Sequence, residues 1–391
     1  MRLLFLNHNV VRRGGTYHRA YAVARYLVRR GHAVTLLTIS PTRRWRFDSE
    51  VSDGVEVIHT PDLFWGMGRS GWDPWDTLNR LAFVHGGGWD IVHAWDCRPA
   101  VILPALYARR PSRGVQPRLI TDWCDWSGRG GTQTERPGRF RALYGPVETY
   151  FEESFRLRAE GTTVISRLLY ARARDLGVPA DTLCMLPQGC DDDAAPLPDR
   201  AAARRRLSIA AGQPVVLSVG TLLQADAEML FDSCRAILAR RPECRLFLVG
   251  KEGVPLPPDL RRASQVRVTG FVDDGVLRDY MAACNCLIVP MADNVASRAR
   301  WPSRVNPFLA AGRAVVMPRV GDLAELLARR EAGVVTGTSA ADLAAGVLDV
   351  LDSPARQAAC ESRAEALAHD ELSWPRLIDR VEDLYQRAER R

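Results

Sequence analysis

Asp122-Trp123-Cys124-Asp125-Trp126, followed at once by Ser127-Gly128-Arg129-Gly130-Gly131, is the densest group of chemistry-bearing residues in the sequence. Carboxylates accept hydrogen bonds from sugar hydroxyls, and indoles stack on the apolar faces of sugar rings. Indoles in a loop are costly to expose without use, so a carbohydrate fits this cluster. Asp122 and Asp125 are its candidate reacting groups. A second cluster, Asp-Ile-Val-His93-Ala-Trp95-Asp96, closes another apolar run. Period two puts His93 and Trp95 on one face. Two readings follow: His93 and Asp96 at a reacting centre, or a buried histidine stacked on Trp95. Gly14-Gly15 follows the first apolar run and precedes a helical pattern. Such a pair lets backbone approach a phosphate or sugar, or makes a plain tight turn. It is not Gly-x-Gly-x-x-Gly, so the dinucleotide fingerprint is missing.

The stretch Ser297-Arg298-Ala299-Arg300-Trp301-Pro302-Ser303-Arg304-Val305-Asn306-Pro307 leads into Phe-Leu-Ala-Ala-Gly312 and an apolar strand, Ala314 to Met317. It reads as a polar loop to Trp301, a helix over 303–311 begun at Pro302-Ser303, and a left-handed end at Gly312. Free helical N–H groups beside Arg298, Arg300 and Arg304 suit an anion. Solvated surface charge is the plainer reading of those arginines.

Alternating strand and helix patterns must position these groups. Strands are expected at 3–6, 33–39, 55–59, 91–94, 118–121 and 162–165, with helices at 16–30, 76–86, 99–109 and 139–160. A second series has strands at 214–220, 245–250, 266–269, 286–290, 314–317 and 333–335, with helices at 226–240, 275–284, 303–311, 322–331 and 339–352. Continuous apolar strands separated by helices predict α/β architecture, with two Rossmann-like domains on parallel sheets. The polar seam runs from Pro187 to Pro198. At 391 residues, 47% of them hydrophobic, the chain can fill two cores. No apolar run is long enough to span a membrane, and the first ten residues read as a strand rather than a signal peptide. Nine scattered cysteines with no Cys-x-x-Cys suit a reduced, cytoplasmic protein without a metal site. The net charge of +7 is arginine, with Lys251 the single lysine, a usage that suits a GC-rich bacterial genome. Residues 1 to 46 hold ten arginines and no carboxylate. Arg12, Arg13, Arg19, Arg25, Arg29 and Arg30 lie on or beside the first helix, among Tyr17, Tyr21 and Tyr26. That face suits peripheral contact with an anionic membrane on its inner side, or a solvated surface. No nucleic-acid-reading motif accompanies it.

In order along the whole chain, the Gly-Gly loop, Val-His-Ala-Trp-Asp, Leu-Pro-Gln-Gly-Cys-Asp, Val-Gly-Thr, Thr-Gly-Phe-Val and Pro-Ser…Ala-Ala-Gly resemble the group 1 (family 4-like) glycosyltransferases. These are retaining enzymes of the GT-B fold, so the resemblance implies two domains facing across a cleft. It implies residues 1–187 on the acceptor side, 188–372 for the nucleotide sugar, and a helix over 373–391 returning to the first domain. It implies glycosyl transfer from a nucleotide-diphosphate sugar to a hydroxyl of a saccharide, glycolipid or small molecule, with retention and no metal or further cofactor. By resemblance Gly14, Gly15 and His93 border the reaction. Thr221 begins the diphosphate site, and Gly270, Phe271 and Val272 form the turn beside the base. The sequence departs from the family after Gly220-Thr221, where the usual Arg and Lys clamp is replaced by Leu222-Leu223-Gln224. The family's Glu-x7-Glu pair falls near Ala299 and Pro307, and both carboxylates are absent. Lys251, Arg298, Arg300, Ser303 and Arg304 are the expected replacements at the phosphates, and Asn306 at the ribose. Two other readings fit these departures: a catalytically silent partner or regulator of the same fold, and a sugar-nucleotide epimerase.

Overall fold

In the computed structural model the run Leu3–Leu6 lies at the centre of an eight-stranded sheet. Its strands are β1 (Arg2–Val10), β2 (Ala33–Ile39), β3 (Asp48–Ser52), β4 (Val55–Thr60), β5 (Ile91–Trp95), β6 (Arg118–Trp123), β7 (Gly161–Val164) and β8 (Leu183–Met185). The order is β3-β4-β2-β1-β5-β6-β7-β8, parallel throughout except for the β3–β4 hairpin. The structure describes all residues but 64–69, 111–115, 136–137, 194 and 222–223. Ala194 of the expected seam and Leu222-Leu223 of the expected clamp position thus lie outside the described residues.

The chain divides into two compact units, Met1–Gln188 with Trp374–Arg391, and Gly189–Ser373. The seam is one residue beyond the expected one. The last helix, Trp374–Glu389, belongs to the first unit because Trp374, Leu377, Ile378, Val381, Leu384, Tyr385 and Ala388 form one buried helical stripe. That stripe packs on Leu3, Phe5, Trp95 and Leu186.

The second unit has β9 (Val215–Val219), β10 (Arg245–Val249), β11 (Val266–Gly270), β12 (Cys286–Ile288), β13 (Ala314–Pro318) and β14 (Val334–Thr336). Their order, β11-β10-β9-β12-β13-β14, is all parallel. In each unit the chain reverses its direction of winding beside the first strand, between β1 and β5 and between β9 and β12. Open α/β sheets bind ligands at the carboxyl ends of the strands at such points.

Several expectations need correction. β3 and β8 were not expected: β3 is a polar edge strand carrying Asp48 and Glu50, and β8 has only three residues. The loop expected over 297–301 contains a helix, Val295–Ala299, capped by Asn294, whose side chain accepts from the Ser297 N–H. The helix expected over 303–311 is a 3-10 turn, Ser303–Val305, followed by Asn306–Ala310. Pro307, without an N–H, sits in the first turn of that second piece, and Ser303 caps nothing. Gly312 has φ 58°, as its expected role requires. On the basic face of the first helix, Gly15–Arg29, one arginine is drawn into the fold, while Arg12, Arg13, Arg29 and Arg30 stay exposed. Arg19 is buried, Arg25 and Arg29 lie over Tyr26, and Arg30 pairs with Asp379 of the last helix.

Candidate active site

At the first switch point the sheet ends in polar residues. Asn7-His8-Asn9 interrupt an apolar strand, and the β1–β2 register slips between Leu6 and Val10. Such a slip re-aims side chains at a sheet's edge. His8 there lines a cavity of about 220 Å³ with Asn9, Gly15, Thr16, Ser70, Asp96, Arg98, Asp122, Trp123, Cys124, Asp125, Ser127 and Arg156. Its walls come from the ends of β1, β5 and β6 and the start of the first helix. Gly14 turns the chain into that helix with φ 84°, and a Cβ there would meet Asn9 Nδ2 at 2.7 Å. No acidic residue occupies the helix's first turn.

Asp96 is held in an unusual backbone state, φ 101°. Such a residue is strained by about 1–3 kcal/mol and persists only where its surroundings fix it. Its carboxylate lies 3.1 Å from Arg98 Nε and 3.3 Å from His8 Nε2. Burial pushes its pKa up, but the His8 hydrogen bond and the Arg98 charge together hold it well below the usual carboxylate range. His8 is pushed down to about 4 by burial and by Arg98. A neutral His8 donates from Nε2 to Asp96, and its Nδ1 accepts from the Ser70 hydroxyl at 2.9 Å. Asp96 is thus an oriented carboxylate at the cavity wall.

Asp122 also borders the cavity, but as a positioning group. Arg19 Nε and Nη2 donate to its carboxylate at 3.2 and 3.1 Å, and Thr163 Oγ1 donates at 2.6 Å. Arg19 also donates to the carbonyls of Leu186 and Pro187. Asp125 is exposed at the rim. The loop after β6 is clamped by Glu152, which accepts from Trp123 Nε1 at 3.0 Å, the Ser127 N–H at 2.7 Å and the Gly128 N–H. Burial raises Glu152 to about 7 against the opposing Arg156 charge and the Ser127 bond. Arg156 lies 4.1 Å over the Trp123 ring.

His93 does not belong to this cavity. It is wholly buried, stacked on Trp95 at 4.3 Å, with Nδ1 2.8 Å from the Tyr385 hydroxyl. Period two placed it with Trp95 on the face that the last helix covers, and burial holds it neutral. The packing reading is the right one. His8, Arg98, Ser70 and Arg156 were missed, and the polar Asn7-His8-Asn9 run at a strand end was the available signal for the first of them.

At the second switch point Gly220 (φ 107°) ends β9, with exposed Thr221 next to it. Gly250 and Gly270 close β10 and β11 beside it: the Gly220 N–H donates to the Val249 carbonyl and the Gly250 N–H to that of Gly270. A Cβ on Gly250 would stand 3.0 Å from the Gly220 carbonyl carbon, so the backbones meet where side chains cannot. Lys251 lines a small cavity of about 40 Å³ at this edge. Phe271 is 82% exposed and Val272 half-buried.

The expected cations separate here. Arg298 is taken by Asp293 at 2.6 and 2.8 Å, and Arg300 by Asp226 in the first turn of the helix Gln224–Arg240. Arg304 is half-buried, and a Cβ on Gly220 would lie 3.3 Å from its Nη1. Among the described residues it has no ion-pair partner. Burial and the nearby Arg300 charge lower it to about 10, so it stays charged at neutral pH. Asn306 is turned inward: its Oδ1 accepts from Trp301 Nε1 at 2.8 Å and its Nδ2 lies 3.4 Å from Cys190 Sγ. At 2% exposure it is a core group, and it does not replace the missing ribose carboxylate. Ser303 is half-buried in its 3-10 turn.

The comparisons with known proteins agree with this architecture. Residues 13–194 match the family described as Glycosyltransferase Family 4, and residues 213–353 match Glycosyl transferases group 1. A D-inositol 3-phosphate glycosyltransferase of Geodermatophilus obscurus is 26% identical over 96% of this chain and 85% of its own. Among solved structures, a sucrose-phosphate synthase from Thermosynechococcus elongatus aligns with TM-score 0.73 at 18% identity, over 98% of both chains. Anabaena HepE in complex with UDP-glucose aligns with TM-score 0.69 at 17% identity, over 99% of this chain and 98% of its own. With both halves matched in family order, this chain belongs to the group 1 glycosyltransferases of the GT-B fold and is a glycosyl-transferring enzyme.

Proposed function

We propose that this enzyme moves a sugar from a nucleotide-diphosphate donor to an acceptor hydroxyl, with retention and without a metal, in cell-envelope or natural-product glycosylation. The observation that carries the donor side is Arg304, a charged guanidinium without an ion-pair partner among the described residues, set against the glycine-lined end of β9. It takes the part of the missing clamp: stabilising the negative charge that grows on a departing diphosphate is the largest electrostatic task of the reaction. HepE, of the same fold, is described with UDP-glucose, which supports a nucleotide sugar as donor.

On the acceptor side the cavity mixes carboxylates (Asp96, Asp125) with guanidinium groups (Arg98, Arg156), which suits a polyhydroxylated acceptor. The Geodermatophilus relative is named for a phosphorylated polyol, a chemistry of the same kind. Asp96 orients the acceptor by accepting from a hydroxyl. Retention follows from attack on the face that the diphosphate leaves, with the hydroxyl proton passing to the leaving phosphate oxygen. Water is excluded by substrate binding, which protects the donor from hydrolysis.

The test is release of nucleoside diphosphate from a panel of nucleotide sugars with and without polyol and saccharide acceptors, with proton NMR of the product's anomeric centre. Acceptor-dependent release, with the donor's anomeric configuration kept, is the expected result. Inversion would overturn the retaining mechanism, and conversion of the donor sugar without release would mean epimerisation.

A further inference from the structure

We propose that the segment Arg43-Arg44-Trp45-Arg46-Phe47 is a docking surface for an anionic lipid bilayer, separate from the first-helix face that the sequence suggested. These five residues are exposed, with Trp45 at 70% and Phe47 at 41%. They leave the carboxyl end of β2, the same edge of the sheet on which the cavity opens. Leu78, 59% exposed, lies on the helix Pro74–Val84 that also carries Trp75 and Phe83.

The segment is held from beneath. Ser40 Oγ accepts from the N–H groups of Thr42 and Arg43, Trp75 Nε1 donates to the Arg44 carbonyl at 2.9 Å, and Phe47 packs against Phe83. Trp45 meets the edge of Trp75 at 5.8 Å and otherwise faces solvent. The aromatic groups are therefore presented by an anchored backbone, and ordering them on a partner costs little further entropy.

The partner's chemistry follows from the pattern. Indole and phenyl groups alternating with guanidinium groups need an apolar phase bordered by negative charge, which is the headgroup boundary of an anionic membrane. Arg43 and Arg46 have no ion-pair partner among the described residues. A second surface of the same composition points to a broad partner. On the helix Gly138–Ser154, Leu143, Val147 and Tyr150 are 69%, 45% and 53% exposed at spacings of four and three, with Arg139 and Arg141 exposed in its first turn. This helix follows β6, so in the order β4-β2-β1-β5-β6 the two surfaces leave strands on either side of β1 and β5, which carry His8 and lead to Asp96. A bilayer is wide enough to meet both.

This docking is independent of glycosyl transfer and is read without a donor. The full chain is sedimented with vesicles of phosphatidylcholine alone, or with 30 mol% phosphatidylglycerol. Binding to the anionic vesicles only, weakened by 0.5 M salt, is expected. R43Q/R44Q/R46Q should lower partition roughly a hundredfold, since each arginine near such a surface contributes about fivefold. W45S/F47S should lower it at least tenfold, with the thermal midpoint and transfer to a water-soluble acceptor unchanged. Trp45 fluorescence, taken as wild type minus W45F, should shift to the blue and be quenched by brominated lipid. No vesicle binding, equal binding to neutral vesicles, or partition unaffected by both variants would overturn the proposal. So would a concentration-dependent dimer abolished by W45S/F47S, which would make the surface an interface between copies.

Discussion

Three arginines within seven residues look interchangeable in the sequence, yet each meets a different fate. Asp293 takes Arg298, Asp226 takes Arg300, and Arg304 is left charged beside Gly220. Removing Arg304 should therefore weaken nucleoside-diphosphate affinity at least tenfold, since a hydrogen bond to a charged group contributes about 1.5–3 kcal/mol. R298A, in contrast, breaks an exposed pair of small worth and should leave affinity within about twofold. Calorimetric titration separates the two. His8 gives a second residue-scale prediction. Its folded pKa, about 4, lies below the ordinary 6.5, so between those values the unfolded chain binds more protons. Stability should fall as pH drops from about 6.5 to 4, by up to about 3 kcal/mol from this group. Denaturant unfolding across that window should show a smaller slope in His8→Gln. Asp293 stands five residues before Arg298 and could be read, but the fate of Arg300 was not legible because its carboxylate is non-local: Asp226 lies on a helix 74 residues before it. His93 misled for a related reason. Strand periodicity gives its face, but only the position of the last helix says that this face is covered.

Elements supply the positions, and two of them can be tested separately. Gly14 allows the left-handed turn that starts the first helix at the cavity, and a Cβ there would stand 2.7 Å from Asn9 Nδ2. Gly14→Ala should cost about 1–3 kcal/mol and lower kcat, since the strain must be relieved by moving Asn9 or the helix start. Chemical denaturation with steady-state kinetics reads both. Tyr385→Phe, in the last helix, leaves His93 Nδ1 without its hydroxyl partner and should cost about 1–3 kcal/mol of stability. KM for donor and acceptor should not change, because His93 is a packing residue; a raised KM would return it to the site. Most elements were legible because continuous apolar strands such as Leu3–Leu6 and Ala314–Met317 carry their own signal. β3 was not, because Asp48 and Glu50 make it read as a loop, and its pairing comes from its neighbour Val55–Thr60. The break at Pro307 was readable in principle: a proline lacking its N–H restarts the helix, whatever the periodicity around it.

At the scale of the molecule, a net charge of +7 says little until each arginine is traced. Arg19 is buried against Asp122 and Arg30 pairs at the surface with Asp379 of the last helix, while Arg12, Arg13 and Arg29 of the same face stay exposed. Arg43 and Arg46 add exposed charge at the carboxyl edge of the first sheet, as does Arg13. Each unit repeats one design, a largely parallel sheet with a glycine turn at its switch point, with an oriented carboxylate, Asp96, beside it in the first and the Arg304 guanidinium in the second. The most direct test of this account is a calorimetric titration of UDP, GDP, ADP and dTDP into wild type, R304A and R298A. One nucleotide should bind wild type and R298A alike, and R304A at least ten times more weakly. Equal affinity in R304A, or no binding by any nucleotide to folded wild type, would contradict the claim that Arg304 replaces the missing clamp.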